Sequence, residues 1–442
     1  MKKMNVSIIT LGCSKNEIDS ELMMGVLKDN NYLITNSLKE ADIIVINTCG
    51  FIKAAKEESI ETIWEITRYK TEGRCKYLII AGCLAERYSK ELLEEIDEID
   101  GIIGTGNIKD IVDIINELEK GKNKIKLTQN INENYLEEIE RQNFRPTEYV
   151  KISEGCNNFC TYCIIPKLRG KHRSRKMEDI VSEVEFLVDN GVKEIILIGQ
   201  NTTDYGIDLY GDYKLNELLD NLNNIERLKW IRLLYLYPDN ISTKLISSIK
   251  NNDKVVKYLD IPLQHVNNHI LKKMNRKTSK KDIKNLLTLL RSEIPNIILR
   301  TTFIVGFPGE SDDNFNELYE FIENIKFDKL GIFIYSREEG TLANSFKNQI
   351  DEETKEYRKD MIMKLQQSIS YSLNKKKIGN TYETIVEDIY EDGLYLGRTY
   401  MDSPDIDGIV YIKSKIPLKK GQFVHVLITD SLEYDLIGEI VE

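Results

Sequence analysis

The chain has 442 residues, of which 41% are hydrophobic and 30% are charged. This length allows about three domains, and the composition excludes a wholly disordered protein. No apolar run approaches the ~20 residues that span a bilayer, and the formal charge of −11 argues against a general nucleic-acid coat. The short apolar run after Lys2 and Lys3 is typical of a buried first strand rather than a signal peptide, so we expect a cytoplasmic protein with no membrane partner.

Strand and helix patterns alternate through residues 1–125. The predicted elements lie in turn at 6–11, 17–28, 41–46, 54–69, 77–81 and 85–96, with a fourth strand ending near 102–106. Strands that alternate with helices pair in parallel through crossover connections. The sequence therefore predicts an N-terminal open parallel α/β domain.

A second α/β series follows a polar stretch at 126–146, which is rich in Asn, Glu and Lys and is interpreted as a connector. Within residues 147–350, strands are predicted at 149–153, 194–199, 230–235, 258–261, 297–305 and 329–335. Helical patterns such as 177–190 and 280–291 lie between them. This count of strand–helix units favours a (βα) barrel, complete or partial, over a flat doubly wound sheet.

The last part of the chain changes pattern twice. Residues 351–377 contain no Gly or Pro and predict one long linking helix. Residues 378–442 carry five short alternating segments separated by turn residues. That pattern predicts a small antiparallel β-barrel at the C-terminus.

The chain has seven cysteines, and an odd number in a large chain favours metal ligands or catalysts over disulfides. The first set of cysteines lies just after a predicted strand: Cys156, Cys160 and Cys163. Three thiolates at this spacing can ligate three irons of a 4Fe–4S cluster and leave the fourth iron open for a substrate or cofactor. The alternative is a zinc site completed by His172, although structural zinc usually takes four ligands in short pairs.

A second set consists of Cys13, Cys49 and Cys83, each directly after a predicted strand. Loops after neighbouring parallel strands converge at one edge of a sheet, so the three thiolates should meet there. They would form a second three-ligand iron–sulfur site with an open iron. The alternative is that all three are thiols buried as small hydrophobes. Cys75 fits neither set and is interpreted as a structural or surface thiol.

The spacing of the Cys156 set resembles the radical S-adenosylmethionine (SAM) superfamily. In that superfamily the open iron binds the amino and carboxylate groups of SAM, and an aromatic residue at the position of Tyr162 lies near the adenine. Barrel active sites gather at the C-terminal ends of the strands. Further candidates for cofactor binding lie there, with ordinary turn chemistry as the alternative: Gly199, Gln200, Gln264, Gly306 and Glu310.

Two three-cysteine sets followed by a small barrel resemble the methylthiotransferase family over essentially the whole chain. That family has an N-terminal domain with an auxiliary 4Fe–4S cluster, a central radical SAM domain and a C-terminal TRAM domain. The stretches most similar to its ribosomal-protein branch are 11–16, 47–52, 160–166, 169–175, 258–265, 300–310, 335–341 and 403–408. Ser14 and Asn201 depart from that branch, and Asn201 is nearer the tRNA-modifying relatives.

The resemblance implies two 4Fe–4S clusters, SAM, an electron donor, and a substrate aspartate in small-subunit ribosomal protein twelve. From residue 378 onward there are thirteen acidic and five basic residues, a net charge of −8. That charge suits a basic ribosomal protein and repels RNA, so no tRNA partner is expected. The alternatives are an acidic surface that only aids solubility, a methylthiotransferase for a tRNA adenosine, and a non-enzymatic iron–sulfur electron carrier.

The implied reaction replaces a β-carbon hydrogen of aspartate with a methylthio group. One SAM would methylate sulfur held at the auxiliary cluster. A second would be cleaved at the Cys156 set to a radical that takes hydrogen from the aspartate, which then captures the methylthio group. A side-chain base works best when its pKa lies near the operating pH, so it is poorly suited to removing a proton from this unactivated C–H bond. A carbon radical avoids that difficulty.

We expect loss of either cysteine set to abolish methylthiolation. Cys13→Ala removes one ligand of the auxiliary set and should leave no methylthio product, as measured by mass spectrometry of the substrate protein. Substantial product from Cys13→Ala would contradict a role for this set.

Overall fold

A computed structural model describes residues 4–128, 131, 141 and 144–441. These residues form two parallel α/β units followed by a closed β-barrel, which is the fold class that the sequence predicts. Most of the connector predicted at 126–146 lies outside the described residues. No described helix combines the length and apolar character needed to cross a membrane.

The N-terminal unit is one parallel sheet with strands in the order β2-β1-β3-β4-β5-β6. Its strands and helices are β1 (Asn5–Thr10), α1 (Ser14–Asp29), β2 (Leu33–Ile34), β3 (Ile43–Thr48), α2 (Lys53–Thr67), α3 (Tyr69–Glu72), β4 (Tyr77–Ala81), α4 (Gly82–Arg87), α5 (Ser89–Glu95), β5 (Gly101–Ile103), α6 (Ile111–Glu119) and β6 (Ile125–Leu127). Every residue of β3 is buried, as expected for a strand covered by helices on both faces.

Two local predictions for this unit were wrong. Residues 126 and 127 belong to a sixth strand rather than to the connector, because Lys126 pairs with Ile102 of β5. The helix predicted at 85–96 is two helices, since Tyr88 has φ −128° and ψ 33° and so leaves helical geometry between α4 and α5.

The second unit is a parallel sheet in the order β14-β13-β12-β11-β10-β7. Its elements are β7 (Thr147–Lys151), β8 (Ser153–Glu154), α7 (Ile165–Leu168), β9 (Arg173–Ser174), α8 (Met177–Asp189), β10 (Glu194–Ile198), α9 (Ile207–Tyr210), α10 (Leu215–Asn223), β11 (Trp230–Leu233), α11 (Thr243–Asn251), β12 (Val255–Asp260), α12 (Asn268–Lys273), α13 (Lys280–Glu293), β13 (Ile298–Val305), α14 (Asp312–Ile325) and β14 (Lys329–Ile334). The sheet ends at β7 and β14, so it forms a partial barrel.

The third unit is a five-stranded barrel that follows a long helix, α15 (Glu352–Lys375). Its strands are β15 (Thr381–Glu391), β16 (Leu394–Thr399), β17 (Val410–Lys413), β18 (Phe423–Ser431) and β19 (Leu436–Ile440). The small antiparallel barrel predicted from the sequence is confirmed, with one parallel pair, β17 and β19. Strand directions cannot alternate around a closed ring of five strands, so one neighbouring pair must run parallel.

The barrel packs against the face of the second sheet that lies opposite its helices. Ile196, Trp230 and Tyr258 from that face share a core with Ile385 and Val426 of the barrel. Apolar burial therefore joins the two units directly.

Buried charges also join these two units. Glu194, at the start of β10, pairs with Arg232 at 2.9 Å and with Arg398 of the barrel. Lys329 pairs with Asp402, and the hydroxyl of Tyr258 donates to Asp407 at 2.6 Å. Charges removed from water are stable only when they are paired in this way, so the pairs fix the position of the barrel.

We expect Glu194→Gln to lower the free energy of unfolding by about 3–5 kcal/mol, because two buried guanidinium groups lose their anion. Burial alone would raise the pKa of Glu194, but Arg398 and Arg232 outweigh it and hold this pKa below its usual range. The stabilisation is therefore present above about pH 4.3, the ordinary carboxyl pKa, and is lost as pH falls through the folded value.

Urea unfolding at several pH values measures this effect. The variant and the parent should converge in acid. Glu57→Gln is the control, since the pair Lys53–Glu57 is exposed and should contribute little. A Glu194→Gln chain as stable as its parent at neutral pH would contradict the prediction.

Candidate functional site

The Cys156 set lies on the loop between β8 and α7, at the carboxyl end of the first strand of the second sheet. Gly155 begins the loop with φ +75°, and a Cβ there would overlap the carbonyl oxygen of Lys171. The amide of Cys156 donates to the carbonyl of Gly170 at 3.2 Å, which folds the loop back. Burial raises the pKa of Cys163, and the neighbouring Cys160 and Cys156 raise it further. The three cysteines therefore lie on one folded loop at this strand end.

The second set forms at the matching edge of the N-terminal sheet. Cys13 precedes α1, Cys49 follows β3, and Cys83 lies on α4 directly after β4. A Cβ at Gly12 would lie 2.7 Å from the Cβ of Cys49, so these two loops touch. Burial raises the pKa of Cys83 to about 12, Arg169 opposes this rise, and Cys13 and Cys49 add to it. A Cβ at Gly50 would lie 2.9 Å from the carbonyl of Cys83, so the three loops that carry this set meet at one edge of the sheet.

Cys75 lies at the opposite end of the sheet from this set, just before β4. Its sulfur donates to the carbonyl of Tyr77 at 3.4 Å, and its side chain packs in the apolar core. Burial raises its pKa to about 11. These surroundings fit a structural thiol.

Both cysteine sets suit a cubane cluster chemically. Within the described part of the chain, no three His, Cys, Asp or Glu side chains converge closely enough to hold a single metal ion. A 4Fe–4S cubane does not need such close convergence. Its three protein thiolates bind three different iron atoms, so their sulfur atoms are farther apart than the ligands of a single ion. Each set supplies three sulfur ligands and is reached from one edge of its sheet.

The cofactor candidates lie around the Cys156 set, at the strand ends of the second sheet. The ring of Tyr162 packs edge-on to Phe307 with 6.5 Å between centroids, and Phe307 packs on Tyr335 at 5.4 Å. Gly306 has φ +71° and leads into that aromatic cluster. A Cβ at Gly199 would lie 2.5 Å from the hydroxyl of Ser153, so only glycine fits there.

Three polar candidates have protein partners. The side-chain amide of Gln200 donates to the carboxylate of Glu154, and its oxygen is buried without a hydrogen-bond partner among the described residues. Gln264 has φ +70°, and its carbonyl accepts from the amide of Ile304 at 2.8 Å. Glu310 is buried and accepts from the amides of Gly306 and Phe307, the second at 3.1 Å. Glu310 therefore holds the shape of the Gly306 loop.

Arg276 and Tyr237 also lie near the Cys156 set, and the sequence did not predict them. The guanidinium of Arg276 lies 3.9 Å from the ring centroid of Tyr237 and donates to the carbonyl of Pro262 at 2.7 Å. The side chain of Asn275, directly before Arg276, donates to the carbonyls of Asn158 and Phe159 on the Cys156 loop. No spacing pattern marks Arg276 or Tyr237, because they follow different strands and meet only in the folded chain.

Ion pairs hold the N-terminal sheet against the strand ends of the second sheet. Glu338, in the loop after β14, pairs with Lys56 at 2.7 Å and with Arg87 at 2.8 Å. Arg87 lies on α4, one turn beyond Cys83. The two cysteine sets are therefore on facing edges of the two sheets.

The comparisons with known proteins agree with this arrangement. Residues 5–104 match the Uncharacterized protein family UPF0004, residues 150–322 match the Radical SAM superfamily, and residues 378–441 match the TRAM domain. The chain is 51% identical over 440 residues to the ribosomal protein uS12 methylthiotransferase RimO of Clostridioides difficile (strain 630), with 99% of each chain covered. A RimO of Thermoanaerobacter sp. (strain X514) is 51% identical, with 98% of this chain and 99% of that protein covered.

The chain belongs to the RimO family. It is an enzyme of the radical SAM methylthiotransferase type, and its superfamily uses a 4Fe–4S cluster and SAM. Among solved structures, the radical SAM methyltransferase TsrM from Kitasatospora setae has a TM-score of 0.59 at 12% identity, with 88% of this chain and 79% of that chain covered. At this identity the likeness shows the fold alone. The family matches therefore cover parts of all three units of the fold.

We expect Gly155→Ala to prevent assembly of iron at the Cys156 set. A Cβ there adds about 1–2 kcal/mol of backbone strain and also displaces the loop from Lys171. Bound iron per chain after anaerobic reconstitution should fall by about half, as the other set remains.

Gly191→Ala is the matched control, since Gly191 also has a positive φ, +98°, but has open space where its Cβ would stand. It should bind as much iron as the parent. Equal iron in Gly155→Ala and Gly191→Ala would contradict the role of this close approach.

Proposed function

We propose that the chain methylthiolates the β-carbon of an aspartate in ribosomal protein uS12, small-subunit ribosomal protein twelve. The observation that carries this proposal is about 50% identity, over nearly the whole chain, to several relatives named for that activity. The paired cysteine sets support it, because a methylthiotransferase needs both a radical centre and a place to hold sulfur.

In this proposal Cys156, Cys160 and Cys163 hold a 4Fe–4S cluster whose open iron takes SAM. Cys13, Cys49 and Cys83 hold the second cluster, and an electron donor reduces the enzyme. When bound, the cluster and SAM supply a carbon radical that can take the aspartate β-hydrogen. The hard chemistry belongs to the cofactors, and the protein orients them and excludes water.

The residues of this chain perform the positioning. Tyr162 and Phe307 offer an aromatic wall for the adenine, and Gly199 lets Ser153 approach the backbone closely at the neighbouring strand end. The buried oxygen of Gln200 is an acceptor for a cofactor donor such as an amino group. Gln264, Gly306 and Glu310 shape the strand-end loops around the same space.

The charge of the C-terminal barrel supports a basic protein substrate, with one refinement. Asp402 and Asp407 pair with Lys329 and Arg300 and so join the barrel to the rest of the chain, whereas Glu387 pairs with Arg398 inside the barrel. Exposed carboxylates remain to meet a partner, and three of them lie together at the β15–β16 hairpin: Asp388, Glu391 and Asp392. Ile389 and Tyr390 beside them are 60% and 63% exposed, which adds apolar contact area.

Mass spectrometry tests the substrate. Anaerobically reconstituted enzyme receives SAM, a reductant, sulfide, and either the ribosomal protein or unmodified tRNA. A methylthio mass on the aspartate is the expected result. A mass on tRNA alone would overturn the substrate and favour the tRNA-adenosine alternative, and a chain that does not bind SAM would favour the electron carrier.

We expect neutralisation of the hairpin (Asp388→Asn, Glu391→Gln and Asp392→Asn together) to raise KM for the ribosomal protein and leave kcat unchanged. These carboxylates attract the basic partner and lie away from the cysteine sets, so they affect binding alone. The effect should weaken as salt is added.

The matched control neutralises three exposed carboxylates on α14: Asp313, Glu320 and Glu323. These lie on another unit and should leave KM unchanged. A hairpin variant with the parent KM at low salt would contradict docking at this surface.

A further inference from the structure

A buried network of charges lies between the two facing sheets. Arg169 is 2% exposed, and it donates to Asn16 at 2.6 Å, to Asp19 at 3.0 Å and to Glu154 at 3.1 Å. Lys151, also buried, donates to Asp19 at 2.6 Å and to Glu154 at 2.8 Å. Two cations thus meet two carboxylates with almost no contact with water. Such a network is strongly destabilised when one member is removed.

The network is anchored close to both cysteine sets. Asn16 and Asp19 lie on the first turns of α1, which begins directly after Cys13. Glu154 lies two residues before Cys156. Its other carboxylate oxygen accepts from Gln200, so the network continues toward the cofactor candidates. A shift of one sheet against the other would therefore break this network.

Arg169 lies beside the second cysteine set. It follows α7, which packs on α4, and Ile164 and Leu168 share a small apolar cluster with Cys83. The guanidinium donates to Asn16, whose backbone amide donates to the carbonyl of Cys13 at 2.8 Å. Arg169 is therefore next to the second set while its fork holds α1 and β8.

We propose that Arg169 is a positioning residue for the auxiliary cluster: its buried positive charge sets the reduction potential there, and its hydrogen bonds fix the auxiliary set against the Cys156 set. This inference rests on the proposed function, because it requires a cluster at Cys13, Cys49 and Cys83. Hydrogen bonds to the sulfurs and nearby charge are what tune such clusters. A buried cation stabilises the more negative, reduced form.

Arginine suits this place better than lysine would. Its planar fork carries five donors in fixed directions, so it can hold Asn16, Asp19 and Glu154 together beside Cys83. A lysine keeps the positive charge but concentrates its donors at one point. The two effects, charge and geometry, can therefore be separated by substitution.

The test uses the full chain with Cys156, Cys160 and Cys163 all changed to alanine, so that only the auxiliary set can assemble a cluster. Arg169→Gln and Arg169→Lys are made in this background and reconstituted anaerobically with iron and sulfide. Bound iron, the electron paramagnetic resonance spectrum and the midpoint potential are measured. Arg175→Gln is the control, since Arg175 is equally buried but pairs with Glu183.

The midpoint potential of Arg169→Gln should shift to a more negative value than that of its background. Arg169→Lys should keep most of the potential but change the spectrum, because it retains the charge and loses the fork. Arg175→Gln should match the background in both. If Arg169→Gln does not fold, as judged by circular dichroism, the Arg169→Lys spectrum decides.

Two results would overturn the inference, and they differ. A background chain that takes up no iron would remove the auxiliary cluster itself, and the proposed function would fail with it. Normal iron, spectrum and potential in folded Arg169 variants would overturn the role of Arg169 alone and leave the proposed function standing.

Discussion

Buried ion pairs between its three units determine where the chemistry of this chain takes place. Arg169 joins the N-terminal sheet to the second sheet through Asp19 and Glu154. Glu194 joins the second sheet to the barrel through Arg398. An ion taken out of water is costly unless its partner remains, so separating any two units would leave an uncompensated charge. The units therefore keep one arrangement, and the site lies between two of them.

Parallel strands then supply the site with its residues. In each sheet the loops after the strands emerge at one edge, and both cysteine sets lie on such loops. Because the two edges face each other, the two cysteine sets lie toward one region although they are far apart in sequence. The face of the second sheet away from its helices is covered by the barrel, which keeps the chemistry at the strand ends.

The acidic residues of the barrel have two different roles. Asp402 and Asp407 are drawn into pairs with Lys329 and Arg300, and these pairs hold the barrel in place. The hairpin carboxylates remain in water, where they can attract a basic partner. A net charge counted from the sequence includes the paired and the exposed carboxylates alike. Only the fold shows which of them face inward.

The sequence by itself determined the three-unit order, most strands and helices, and the two cysteine sets, because apolar periodicity and ligand spacing are local properties. It could not reveal the strand pairing of residues 125–127, whose role depends on β5, or the parallel closure of the barrel, which follows from a ring of five strands. Tertiary structure alone decided that Arg169 bridges Asp19 and Glu154 beside the second cysteine set and that Arg276 packs on Tyr237. Those contacts join residues far apart in the chain, and only packing brings them together.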